Sequence, residues 1–203
     1  ISGNFVENGN GGAISINSGS FLMDKVSQGN GATIFGNSAI SQTGNTGYGG
    51  GVYITTGGQD VDVDILAGSI VGNSSTRHGG GICVDLPSDE VTATVTVGET
   101  DSNNLEYPNI TSNITLLSGG GLYVDGRHAS VVINSGKIQD NETVGYVDNP
   151  DIMNETGMVT LNGGDVKSVN VIYKGNKGDS INGAEIGDVE YIQRIVTDTN
   201  NKL

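Results

Sequence analysis

Gly79-Gly80-Gly81-Ile82-Cys83-Val84 sets three glycines directly before a short apolar-x-apolar triplet. The chain repeats the phrase at Gly11-Gly12-Ala13-Ile14-Ser15-Ile16, Gly49-Gly50-Gly51-Val52-Tyr53-Ile54 and Gly119-Gly120-Gly121-Leu122-Tyr123-Val124. The first glycines fall 38, 30 and 40 residues apart, so this is an internal repeat whose unit tolerates insertions. Two further elements recur in constant order between the glycine clusters. One comprises Ile34-Phe35-Gly36-Asn37, Ile70-Val71-Gly72-Asn73, Ile110-Thr111-Ser112-Asn113 and Ile138-Gln139-Asp140-Asn141, with Ile1-Ser2-Gly3-Asn4 as a fifth copy. The other comprises Phe21-Leu22-Met23 and the alternating stretches 61–65, 91–97 and 129–133.

All three elements alternate with period two between Gly, Asn, Ser or Asp, the pattern of short half-buried strands joined by tight turns. Three such strands per unit, repeated head to tail, are the plan of an all-β parallel β-helix in which like strands stack about 4.8 Å apart. An antiparallel sandwich gives no reason for the three elements to recur in one order. The glycines then serve corners of the coil, where backbones approach closely or φ is positive. The closing Asn of each Ile-x-Gly-Asn is expected to stack on its counterparts as an amide ladder. About five to six coils are expected over residues 1–176, with a degenerate unit starting near Gly157. Residues 177–203 read as a C-terminal cap or tail, in which 190–196 is a strand or a short helix.

Composition narrows the function. A net charge of -14 with nine Lys and Arg makes nucleic acid and anionic membrane surfaces poor partners. No stretch is apolar for the length of a membrane span. The chain opens inside a repeat and without Met, which reads as part of a longer polypeptide. Cys83 is the only cysteine and is read as a stacking residue with no redox role. No cofactor or metal-ligand spacing is present. The acidic loops 85–90 and 148–151 offer oxygens to calcium but follow no known loop pattern.

The pairing of GG-x-[IVL]-x-[IVL] with I-x-G-N resembles the repeats of bacterial surface proteins with right-handed β-helix passenger regions. Phe5-Val6-Glu7-Asn8 followed by Gly11-Gly12-Ala13-Ile14 is similar to the FxxN and GGAI motifs of polymorphic outer-membrane adhesins. The resemblance implies a right-handed coil and an adhesin-like role, secreted or at the cell surface, with a glycan or host protein as partner. Pectate lyases, polygalacturonases and phage tailspikes share the architecture, so it does not by itself separate binder from enzyme.

Two constellations follow. In the glycine-led strands the middle residue points outward, stacking Ser15, Tyr53, Cys83, Tyr123 and Thr160 in one column. Tyr53 and Tyr123 are then about 9.6 Å apart, an exposed aromatic platform for a glycan or peptide. Tyr107 and Tyr146, in the insertions 98–109 and 142–156, are further binding candidates, and 38–48 is a third insertion. The alternative is a polysaccharide hydrolase or lyase. Asp62 and Asp64 would both point out of Val61-Asp62-Val63-Asp64-Ile65, about 6.6 to 7 Å apart, a spacing compatible with an inverting carboxylate pair. The basic doublets Arg77-His78 and Arg127-His128 are expected at opposite ends of the sheet, too far apart to form one site.

Overall fold

The computed structural model describes residues 1–25, 31–100, 107–145, 150–174, 180–181, 184–185 and 190–196, with side chains through residue 167. The chain is a right-handed parallel β-helix. Each expected element forms a sheet, and a fourth sheet lies between two of them. The glycine-led strands β2 (Ile14–Ile16), β6 (Val52–Ile54), β10 (Ile82–Asp85) and β14 (Leu122–Asp125) stack in parallel. So do β3 (Gly19–Met23), β7 (Val61–Ile65), β11 (Ala93–Val97) and β15 (Ala129–Ile133). The third sheet stacks β4 (Thr33–Phe35), β8 (Ser69–Val71), β12 (Asn109–Thr111), β16 (Lys137–Gln139) and β20 (Asp165–Val166).

The fourth sheet, directly after the ladder asparagines, stacks β1 (Phe5–Glu7), β5 (Ser38–Ile40), β9 (Ser74–Ser75), β13 (Ile114–Thr115) and β17 (Glu142–Thr143). Sequence patterning does not announce it, because β9, β13 and β17 have only two residues, too few to show alternation, and the inward residues of the sheet turn from Ala39 to Ser75, Thr115 and Thr143. Two of those hydroxyls bond to each other: Ser75 Oγ lies 2.8 Å from Thr115 Oγ1, which donates to the Arg77 carbonyl at 2.7 Å. Part of the stretch 38–48 is therefore strand, not insertion.

The fifth coil departs from expectation in the same way. β18 (Ile152–Asn154) pairs with β14, so it completes the glycine-led sheet from inside the stretch 142–156 expected to be an insertion. β19 (Met158–Leu161), expected to be the glycine-led strand of that coil, pairs instead with β15. Thr160 accordingly stands beside Val132, and Met153 takes its expected place beside Tyr123. The reason is that Pro150-Asp151 stands before this strand where Gly120-Gly121 stands before β14, so no glycine marks it.

Beyond this coil, β21 (Ser168–Lys174) pairs in parallel with β18, and β24 (Glu190–Val196) pairs antiparallel with β21. Residues 190–196 are therefore a strand. A two-stranded sheet joins β22 (Ser180–Ile181) to β23 (Ala184–Glu185). No helix among the described residues is long and apolar enough to cross a membrane.

Alternation places one apolar column per inward position. Ile34, Ile70, Ile110 and Ile138 stack in one sheet, and Val63, Val95 and Val131 in another, all at most 2% exposed. Two glycine positions per coil permit the approach of neighbouring turns. The first has positive φ, at 63°, 65° and 67° for Gly49, Gly79 and Gly119. The second has no room for a side chain: a Cβ on Gly80 would lie 2.5 Å from the Gly120 carbonyl oxygen and 2.6 Å from that of Ile114.

The amide ladder forms as expected, and it has a direction. Asn37 donates its backbone N–H and its side-chain amide to Asn73 Oδ1 at 3.0 and 2.9 Å; Asn73 does the same to Asn113, and Asn113 to Asn141. The second amide hydrogen goes to a carbonyl of the preceding coil, from Asn73 to Ile34 and from Asn113 to Ile70. Asn141 donates both of its groups to Asp151 Oδ1 at 2.9 Å, and Asp151 is 2% exposed. A terminal residue in this ladder needs only to accept, and a carboxylate is the acceptor-only form of the same shape.

Replacing Asn113 with Ala removes acceptors from Asn73 and a donor from buried Asn141. The expected loss, read from urea denaturation, is about 3–5 kcal/mol, since several buried groups lose partners at once. Ser112 and Asp140 hold φ of 57° where the sister coils have Gly36 and Gly72 at 62° and 64°. Ser112→Gly should therefore raise stability by about 0.5–1 kcal/mol in the same measurement, relief of left-handed strain exceeding the greater chain entropy of glycine.

Candidate functional site

The outward face of the glycine-led sheet gathers the aromatic and ionisable side chains. Register places Ser15, Tyr53, Cys83, Tyr123 and Met153 in one column. A second row forms just before the glycines, where Gly11, Gly49 and Gly79 donate to the carbonyls of Tyr48, His78 and Ser118. A third row lies at the far ends of the strands. Asp85 pairs with Asp125, and Glu155 donates its N–H to the Val124 carbonyl, one residue on from Asn154.

These rows close over one another. Tyr53 is 9% exposed, Cys83 0%, Tyr123 4% and Met153 5%, so the expected exposed platform is a covered one. Cys83, the smallest member of the central stretch, stands between two tyrosines, and rings from the second row lie across the column. His78 stacks on Tyr123 with centroids 4.2 Å apart and planes 19° apart. Tyr48 lies 5.6 Å from His78 and 6.1 Å from Tyr53. The Arg77 guanidinium sits 5.3 Å over the Tyr48 ring and donates to its hydroxyl at 3.1 Å. Arg77-His78 thus joins this face, while Arg127 and His128 are exposed elsewhere. The two doublets stay apart, as the sequence implies.

The hydroxyls are committed as well. Tyr53 donates to Asp85 Oδ2 at 3.0 Å, and Tyr123 donates to Glu155 Oε2. Asp125 Oδ1 accepts from the Gly126 N–H at 2.8 Å and from Thr156 Oγ1. Burial pushes both tyrosine hydroxyls far up, with the neighbouring carboxylates adding to it. Burial also raises the Asp85 carboxyl above its usual range; the Tyr53 hydrogen bond opposes this, and Asp125 adds to it. The Cys83 thiol is held well above its ordinary value by burial and by Asp85 and Asp125, which keeps it protonated and unreactive. Chemically this face is a sealed aromatic seam edged by hydrogen-bonded acids.

The other candidates stand away from the seam. Tyr107 is 40% exposed and enters β12 in a different sheet. Tyr146 lies outside the described residues. Asp62 is exposed and Asp64 half-buried between buried Val61, Val63 and Ile65, as the alternation implies. Their neighbours in register are Ser20 and Thr94 for Asp62, and Leu22 and Thr96 for Asp64, so neither faces a second acid or a base in the adjoining coils. Of the acidic loop 148–151, Asp151 is spent on the amide ladder, and no metal-binding group of His, Cys, Asp or Glu occurs among the described residues.

Sequence reading passed over Tyr48 and the packing role of Arg77-His78. Their signal was positional: each directly precedes a glycine cluster, and a residue there faces the same side as the strand's middle residue. No family model matches this chain, and neither a curated protein nor a solved structure matches it.

His78 supplies a pH test. Burial, with the Arg77 charge beside it, lowers its pKa from the usual 6.5 to about 4, against a smaller opposing pull from Asp125. The unfolded chain therefore takes up this proton first as pH falls. Stability should be full above about pH 6.5 and decline toward pH 4. Asp85 acts with the opposite sign, its raised pKa easing a penalty near the acid end of that range. Urea midpoints measured at pH 7.5 and 5.0 should fall less for His78→Gln than for the parent chain.

Proposed function

We propose that this chain is a non-enzymatic, adhesin-like β-helical segment of a secreted or cell-surface protein, and that it presents the loop 41–48 to a glycan. The observation that carries this reading is the way the loop is anchored. Ser41 N donates to Thr76 Oγ1 at 2.8 Å, Gln42 N to Asn8 Oδ1 at 3.0 Å, and Gly47 N to Asn10 Oδ1 at 2.9 Å. Arg77 N reaches the Gly47 carbonyl at 3.0 Å. The loop is thus tied to the coils on either side of it, and Tyr48 pins it to the aromatic seam.

A loop held this firmly loses little conformational freedom on binding, which is where affinity for a weak polar ligand is otherwise lost. Gln42, Thr43 and Asn45 are exposed along it, and the half-buried Tyr48 and Arg77 flank them. Amides and hydroxyls beside an aromatic ring suit sugar hydroxyls and the apolar face of a pyranose. The buried tyrosines enter as supports: Tyr53 and Tyr123 position the rings that position the loop.

A glycan array followed by calorimetry on the best hit tests the reading. Thr43→Ala with Asn45→Ala should weaken binding at least about tenfold with the melting temperature held, a loss of about 1.4 kcal/mol. Binding unchanged in that variant would sink the loop as the contact surface. Turnover of a polysaccharide that Asp62→Asn abolishes would replace the binder with an enzyme.

A further inference from the structure

We infer that the glycan taken by the loop 41–48 is an acidic one, whose carboxylate seats on the uncommitted Nη donors of Arg77. The inference rests on the glycan reading of that loop and adds to it the charge of the ligand.

Arg77 is held at both ends. Its N–H donates to the Gly47 carbonyl at 3.0 Å, and its own carbonyl accepts from the Leu117 N–H at 3.1 Å and from Thr115 Oγ1 at 2.7 Å. Its guanidinium lies 5.3 Å from the centre of the Tyr48 ring, and Nη2 donates to the Tyr48 hydroxyl at 3.1 Å. The same group backs onto the loop, since a Cβ on Gly44 would lie 3.7 Å from Nη1. Backbone, ring and loop therefore fix where this charge sits.

What it lacks is a counter-charge. A guanidinium has five N–H donors, and here a single one reaches an acceptor in the protein. Nε is shut away from solvent without a partner, and so is Thr46 Oγ1, on the residue next to Gly47. The chain has 23 Asp and Glu, yet no carboxylate among the described residues lies within ion-pair distance of Arg77. Taking a cation part-way out of water without a counter-ion costs stability, and the folded chain already carries that cost. An anion arriving from outside thus meets a partly dehydrated and immobile partner, for which the attraction is stronger than in water and little order is left to impose.

Geometry narrows the anion. Nη1 is uncommitted and Nη2 keeps one hydrogen, two coplanar donors for the two oxygens of a carboxylate. The loop itself is polar in a directed way. At its start Gln42 bonds to Glu7, and from Gly44 to Tyr48 it runs against Arg77. A sugar ring lying over exposed Thr43 and Asn45 then has an acid at one end and the guanidinium at the other. The net charge of -14 disfavours anions at long range. Screening over about 8 Å at physiological salt leaves the contact at Arg77 to decide.

The test places uronic-acid, sialylated, sulfated and neutral glycans on one array. The best carboxylated hit then goes into calorimetry beside its methyl ester, which keeps the ring and loses the charge. Carboxylated glycans should lead the array, and the ester should bind at least about tenfold more weakly. Arg77→Gln should bring acid and ester to the same affinity, and Arg77→Lys should restore part of the preference. A variant that only loosens the loop weakens both ligands alike, so a preference that survives Arg77→Gln would overturn the inference. Neutral glycans leading the array, with binding still lost in the Thr43→Ala, Asn45→Ala variant, would overturn the acidic ligand and leave the glycan reading standing. Sulfated glycans leading it would overturn the carboxylate in favour of a sulfate ester. An array without a hit would overturn both readings.

Discussion

Asn37, Asn73, Asn113 and Asn141 are buried, and each finds its hydrogen-bonding partners in the neighbouring coils. The asparagine ladder is the constraint that follows. Each rung fixes the backbone of one turn against the next through two donors and one oxygen, and its remaining hydrogen reaches back to a carbonyl of the turn before. Register in the flanking sheets then has one solution. A slip of one residue would turn every apolar side chain outward and strand a column of buried amides, costs that act together. The same constraint explains Asp151: a ladder that only donates in one direction can end on a carboxylate without leaving a hydrogen unmet.

Glycine is the steric counterpart of that ladder. Where the coil turns into its glycine-led strand, one residue needs a left-handed backbone and the next meets the carbonyl oxygens of neighbouring strands at distances no Cβ tolerates. Elsewhere the requirement is weaker. The Gly of Ile-x-Gly-Asn needs positive φ but has open space at Gly3 and Gly36, which is why Ser112 and Asp140 can occupy the equivalent place at a modest cost. Motif drift along the chain thus follows the local physics: space-limited glycines persist through the glycine-led coils, and the angle-limited ones change.

The aromatic seam shows how a structural column acquires neighbours that matter. Tyr53 and Tyr123 were legible as a column because their spacing is set by the strand period. Their burial was not, because it depends on Tyr48 and His78 lying across from the row before the glycines. Once covered, the two hydroxyls bond to Asp85 and Glu155, residues that follow the strand centres by two in sequence and point the same way. Tyr48 also ties the end of the loop 41–48 to this packing through Tyr53, His78 and Arg77.

Residue alternation, the constant order of three elements and the closing asparagines determined the parallel coil, its inward columns and the amide ladder, since these are local periodicities that only one stacking satisfies. The fourth sheet escaped because its strands β9, β13 and β17 have two residues each and carry no period. The fifth coil was misplaced because Pro150-Asp151 stands where glycines would have marked its strand, and only the amide ladder shows why an acid belongs there. Which outward side chains are covered depends on contacts between residues some thirty to forty positions apart in sequence. Such contacts exist only once the coils have stacked.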